Sequence, residues 1–142
     1  MTPTTLESLT ASLLEIFEGP FKLTAYRDSG GVLTIGRGHT GPDVHEGMTI
    51  TQQQAIDLLA KDEAPLFDLV RSFPIPYAAA LADFGFNVGK GALQKVLDGQ
   101  DTVSNPVHTT DRTGKVHSWL VARRNLELQL MGLSDPTQKT ET

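Results

Sequence analysis

"EGPFKLTAYRDSGGVLTIGRGHT", Glu18 to Thr40, decides the reading of the whole chain. Upstream of it, Leu6, Leu9, Leu13, Leu14 and Phe17 recur at helical spacing, and Gly19-Pro20 ends that helix. Phe21 to Arg27 then alternates in part, and "DSGG" is a turn signal running into the strand-like "VLTIG". The stretch predicts a helix followed by a small antiparallel hairpin or meander, with Gly36, Gly38 and Gly41 keeping the next segment irregular.

Helical patterns dominate the remainder. "TITQQQAIDLLAKDEA" predicts a helix opened by a Thr51/Gln54 capping box. Pro65 interrupts or kinks it, and "LFDLVRSF" continues until Pro74. Tyr77–Val88 and Ala92–Leu97 read as helices around a Gly89-Lys90-Gly91 turn. Gly99 to Gly114 reads as a polar loop, and Ser118–Met131 as the last helix. The predicted class is α+β, mainly α: a small N-terminal β-hairpin lobe and a helical C-terminal lobe with a cleft between. Residues 1–142 read as one domain, with residues 1–60 as the first lobe, 61–133 as the second and 134–142 as a flexible tail.

Composition narrows the function classes. The chain has 142 residues, 39% hydrophobic and 20% charged, which fits a folded domain with a substantial core. It has no cysteine, so disulfides and thiolate metal sites are excluded. The net charge is −5, unevenly spread: residues 1–89 carry 5 basic against 11 acidic side chains, residues 90–142 carry 7 against 6. An acidic chain argues against nucleic-acid binding, which needs phosphates neutralised, although a basic stripe on the second half suits an anionic polymer. The N-terminal segment carries Glu7 and Glu15 within its apolar pattern and reads as an amphipathic helix, not a signal peptide. The expectation is a protein made in the cytoplasm, with no stable insertion in a membrane.

Glu18 falls in the last turn of the first helix, where unpaired carbonyls disfavour negative charge and suit a carboxyl that keeps a proton to donate. Asp28 adjoins a turn whose amides stabilise an ionised carboxylate. Two carboxyls in contrasting environments are the pairing that glycoside hydrolysis uses, and the Thr34 hydroxyl is placed to help hold a water. Taken singly, each has a plainer reading: a solvated helix-end Glu, a turn-forming Asp.

Together these residues closely resemble the active-site region of the phage-type lysozymes, the muramidase endolysins of glycoside hydrolase family 24. The shared pattern is Glu-Gly, Tyr-x-Asp, a Gly-bearing turn and Thr-x-Gly-x-Gly-His. "GMTITQQQAIDLLAKD", "DFGFNVGKGAL" and "GKVHSWLVARRNLE" resemble further family segments, so the likeness covers most of Leu14 to Leu130. It implies Glu18 as proton donor, Asp28 as second carboxylate and Thr34 as the water-positioning hydroxyl. It also implies inverting cleavage of the β-1,4 bond between N-acetylmuramic acid and N-acetylglucosamine, with no cofactor and no metal. The implied protein is a monomer acting on peptidoglycan glycan strands, made in the host cytoplasm and reaching the wall after a separate holin-type membrane protein permeabilises the membrane. Two departures stand out: the Glu18–Tyr26 interval is one residue longer than the family pattern, at Gly19-Pro20-Phe21, and Arg37 stands where an aromatic or small residue is usual. The competing readings are a peptidoglycan-binding module without turnover and a lytic transglycosylase, the latter opposed by Asp28 and Thr34.

Other residues carry two readings. His39 reads as structural, holding the β-element to a helix with Asp62 as its partner. His45, His108 and His117 lack companions at metal-ligand spacing. Arg123 and Arg124 read either as a solvated helix face, with Glu127 four residues from Arg123, or as a tie placing one arginine beside Glu18. Leu93 reads as a sugar-subsite residue or as core, and Trp119, the single tryptophan, as core.

Overall fold

In the computed structural model, which describes residues 4–133, Leu6–Glu18 forms helix α1. Thr5 and Ser8 open it by exchanging bonds: each backbone N–H donates to the other's side-chain oxygen, at 2.9 and 3.0 Å. Strands β1 (Lys22–Arg27), β2 (Leu33–Gly36) and β3 (His39–Thr40) come next, then helices α2 (Gln52–Val70), α3 (Ile75–Val88), α4 (Lys90–Leu97) and α5 (Ser118–Gly132). The mainly helical α+β layout is the one predicted.

The chain divides into two compact units, residues 18–64 and residues 1–17 with 65–142. The predicted first lobe of residues 1–60 differs from this at α1. Leu6 and Leu13 of α1 are buried among Leu66, Phe67, Val70, Ala78, Leu81 and Phe84, so most of that helix packs with the helical unit. Its apolar stripe needs an apolar partner and finds it in these helix residues. The predicted tail, residues 134–142, lies outside the described residues.

In the unit of residues 18–64, the sheet is antiparallel in the order β1-β2-β3. Lys22 pairs with Gly36 and Tyr26 with Thr34, so β1 takes four steps where β2 takes two. The surplus bulges away from β2 and finds other partners: Ala25 N–H donates to the Met48 carbonyl at 2.8 Å, and Ile50 N–H to the Leu23 carbonyl at 2.9 Å. The capping box of α2 forms as predicted, Gln54 N–H donating to Thr51 Oγ1 (3.1 Å) and Thr51 N–H to Gln54 Oε1 (2.8 Å). Gly36, at φ +70, lies over Ala55 of α2. A side chain there would have to adopt the left-handed conformation.

The helical unit corrects several boundaries. Pro65 does not interrupt α2, which runs on to Val70; the carbonyl that a proline leaves unbonded is that of Lys61, an exposed residue. α3 starts at Ile75 rather than Tyr77, because Pro74 caps it and Pro76 occupies the first turn, where a missing N–H is harmless. The predicted Gly89–Gly91 turn is a single joint at Gly89 (φ +103), with Lys90 already in α4. Gly85 lets helices close up: a Cβ there would meet Leu93 Cδ2 at 2.8 Å and Leu66 Cδ2 at 2.9 Å. The predicted 99–114 loop contains a 3₁₀ turn, Pro106–Thr109, and is pinned by two Asp–His pairs at 2.8 Å, Asp101–His108 and Asp111–His117. Hydrogen bonds from the Asn105 side chain, the Thr102 amide and His108 hold the Asp101 carboxyl down at about 2.

Candidate active site

Glu18, Asp28 and Thr34 all belong to the unit of residues 18–64. Glu18 is the half-buried last residue of α1, as predicted, and Gly19 turns the chain away with φ +75. Asp28 follows β1 at the head of the turn. Its Oδ1 accepts the Gly30 N–H at 2.8 Å and the Val32 N–H at 2.9 Å. These two bonds fix the orientation of the carboxyl on the turn. Among the described residues Oδ2 accepts no such bond. Arg27 fixes the far side of the turn, donating to the Gly31 carbonyl (2.8 Å) while pairing with Glu46 (2.6 Å).

Thr34 lies directly across from Tyr26 in the β1–β2 register, so the two side chains share a face of the sheet. It is buried and its hydroxyl donates to the Val32 carbonyl at 2.8 Å. Its oxygen therefore keeps acceptor capacity for a water's hydrogen. Tyr26 is a residue that sequence reasoning used only as a motif letter. Burial raises its phenol above the ordinary tyrosine value, and the charges of Asp28 and then Glu18 push it further the same way.

His39 and Asp62 are brought together: His39 Nδ1 lies 2.8 Å from Asp62 Oδ2, tying β3 to α2. The other ring nitrogen, Nε2, lies 2.8 Å from Asp43 Oδ2, a partner missed although it stands four residues away in sequence. Burial opposes charge on this ring, but the bonds to Asp62 and Asp43 outweigh it, and His39 titrates above the ordinary histidine value. An imidazolium donates from both nitrogens, which matches two carboxylate partners. Among the described residues no group of three or more His, Cys, Asp or Glu side chains is arranged to hold a metal ion.

Three of the other predicted residues belong to the helical unit. Arg123 and Arg124 are not a solvated face: both are buried in the helical unit. Arg123 grips Asp83 of α3 through Nε and Nη2, each at 2.9 Å, and Arg124 Nε lies 2.7 Å from Glu127 Oε1. Glu127 is closer to Arg124 than to Arg123, which it approaches only to 4.0 Å. The sequence signal for Asp83 was a lone charge inside the apolar run "AAALADFGF". Leu93 is fully buried in the core, so the subsite reading falls. Trp119, expected in the core, is 48% exposed.

Among known proteins, the Salmonella phage P22 endolysin is 40% identical over 80 residues, covering 50% of this chain and 55% of that protein. The SAR-endolysin of Escherichia phage Mu is 43% identical over 75 residues, covering 49% and 43%. The chain thus spans about half the length of these curated relatives. Among solved structures, the muramidase domain of SpmX from Asticaccaulis excentricus aligns with a TM-score of 0.68 at 26% identity, over 90% of this chain and 97% of that one. Residues 15–127 match the phage lysozyme family. That span takes in the helix end at Glu18, the sheet with Asp28 and Thr34, and the buried arginines of α5, and the chain belongs to the phage lysozyme family.

Proposed function

We propose that the protein is a lysozyme that hydrolyses the β-1,4 bond between N-acetylmuramic acid and N-acetylglucosamine in bacterial peptidoglycan, as a monomer and with inversion. In this reading Glu18 donates a proton to the leaving glycosidic oxygen. Asp28, ionised, takes a proton from the attacking water through Oδ2, while its Oδ1 stays on the turn amides. Thr34 accepts a hydrogen bond from that water. Inversion requires the two carboxyls to stand about 6.5–9.5 Å apart, leaving room for the water between Asp28 and the sugar. What supports this reading most is the match of residues 15–127 to the phage lysozyme family, a span that takes in Glu18, Asp28 and Thr34.

The test is turbidity clearing of purified cell walls by wild type and Glu18→Gln side by side. Wild type clears, and the amide variant, which cannot donate the proton, loses nearly all turnover while its thermal unfolding is unchanged. Near-normal clearing by Glu18→Gln refutes the acid assignment. Products carrying 1,6-anhydro ends in mass spectrometry would make the enzyme a transglycosylase instead. Access to the wall is proposed to depend on a separate holin-type membrane protein, and lysis on expression without any such protein would overturn that part.

A further inference from the structure

Arg37 sits between Gly36 and Gly38 just after β2, and it is 8% exposed. A guanidinium is taken out of water at a free-energy cost unless other groups replace its hydration. Two replacements are visible. Its Nε donates to the Gly19 carbonyl at 3.0 Å, and its Cζ lies 4.1 Å from the centre of the Phe21 ring. Gly19 immediately follows Glu18 and turns with φ +75, and Phe21 precedes β1. One side chain thus holds both ends of the three-residue connection between the candidate acid and the sheet that carries Asp28 and Thr34. Its positive charge also lies by the carbonyl end of α1, where a cation is favoured. The extra residue of the Glu18–Tyr26 interval falls within the span held this way, so the same contact fixes a connection that added length would otherwise loosen.

Building on the reading of Glu18 as proton donor, we propose that Arg37 is a positioning residue: with Phe21 it clamps Gly19–Phe21 and so fixes the Glu18 carboxyl relative to Asp28. Lysine does not substitute for it. An ammonium lacks the flat fork that can bond a carbonyl while lying on a ring.

The test compares wild type, Arg37→Met, Arg37→Lys, Phe21→Leu and Glu18→Gln by wall-clearing kinetics, thermal unfolding and amide exchange of residues 18–22. Misplacing a reacting group by about 1 Å lowers rates by about a hundredfold. Arg37→Met is expected to lower kcat by about ten- to a hundredfold with KM within about twofold, and to speed exchange in the 18–22 segment alone. Arg37→Lys recovers little of the loss, and Phe21→Leu, which keeps the bond to Gly19, falls between. Unchanged exchange at 18–22 in Arg37→Met overturns the clamp. Turnover lost by Glu18→Gln but kept by Arg37→Met overturns the positioning role and leaves the acid assignment standing. Turnover kept by Glu18→Gln overturns both. A kcat loss that tracks the fall in thermal stability across the variants reduces Arg37 to a structural residue. If Arg37→Met does not fold, full activity in a folded Phe21→Leu still overturns the proposal.

Discussion

Breaking the Arg123–Asp83 pair gives the sharpest test of what holds the helical unit together. Both side chains have no exposure, and two parallel bonds of 2.9 Å join them. Removing one partner of such a buried pair leaves a charge without hydration and costs about 3–5 kcal/mol. The two single variants should differ. Asp83→Leu leaves Arg123 with Glu127 at 4.0 Å and the Phe17 ring 5.2 Å away, so its loss lies near the lower end of that range. Arg123→Met takes both 2.9 Å bonds from the fully buried Asp83 carboxylate, so its loss lies near the upper end. The double variant replaces both charges by apolar groups of similar volume, which is often neutral or stabilising. It should recover most of the loss, within about 2 kcal/mol of wild type. Urea unfolding at neutral pH, with m-values compared, measures all four members of the cycle. A total stability of about 5–15 kcal/mol makes single losses of this size large. Single losses below about 1 kcal/mol, or a double variant as unstable as the sum of the singles, would refute the account of the pair as mutually dependent buried charges.

Leu93→Ala should lower stability by about 2–5 kcal/mol, as for a filled core position, while leaving the pull-down of the folded protein by cell walls unchanged; weakened wall binding at full stability would restore the subsite reading. His39 predicts a pH effect with a definite sign. Because its folded value is raised, its contribution is fully present below the unfolded value of about 6.5 and is lost as pH rises through the folded value, by at most about 1.4 kcal/mol per pH unit. His39→Asn should remove that decline from the stability–pH curve, and an unchanged slope would count against the Asp62–His39–Asp43 bridge. Asp28→Asn should abolish most clearing without unfolding the turn, since an amide oxygen still accepts the Gly30 and Val32 amides. Thr34→Ala should slow clearing less, and equal activity in all three proteins would remove both residues from the mechanism.

The helix–hairpin order, the mainly helical class, the Thr51/Gln54 cap and the placement of Glu18 at a helix end were legible in sequence. Each depends on residues within a few positions of one another: periodicity, a capping pair, a Gly-Pro stop. His39 with Asp62, 23 residues away, was expected from the position after Gly-x-Gly, where the β-element meets a helix, and from the family resemblance. Local logic left two readings open where the deciding partner was far along the chain. Arg123 and Arg124 read as an exposed pair or as a tie between helices, and only Asp83, 40 residues earlier and bonded to Arg123 inside the core, removes the exposed reading. Trp119 is exposed where the core was expected, and Leu93 takes the core reading of its two, since burial depends on what packs against a helix face and not on the hydrophobicity of the residue. Arg37 is the clearest case. Sequence marked it as an unusual charge, and only the return of β2 past the end of α1 shows that it bonds Gly19 and lies on Phe21. Local backbone preferences and side-chain periodicity are written in neighbouring residues. The pairing of a buried charge is written in distant ones, and only the folded chain brings those together.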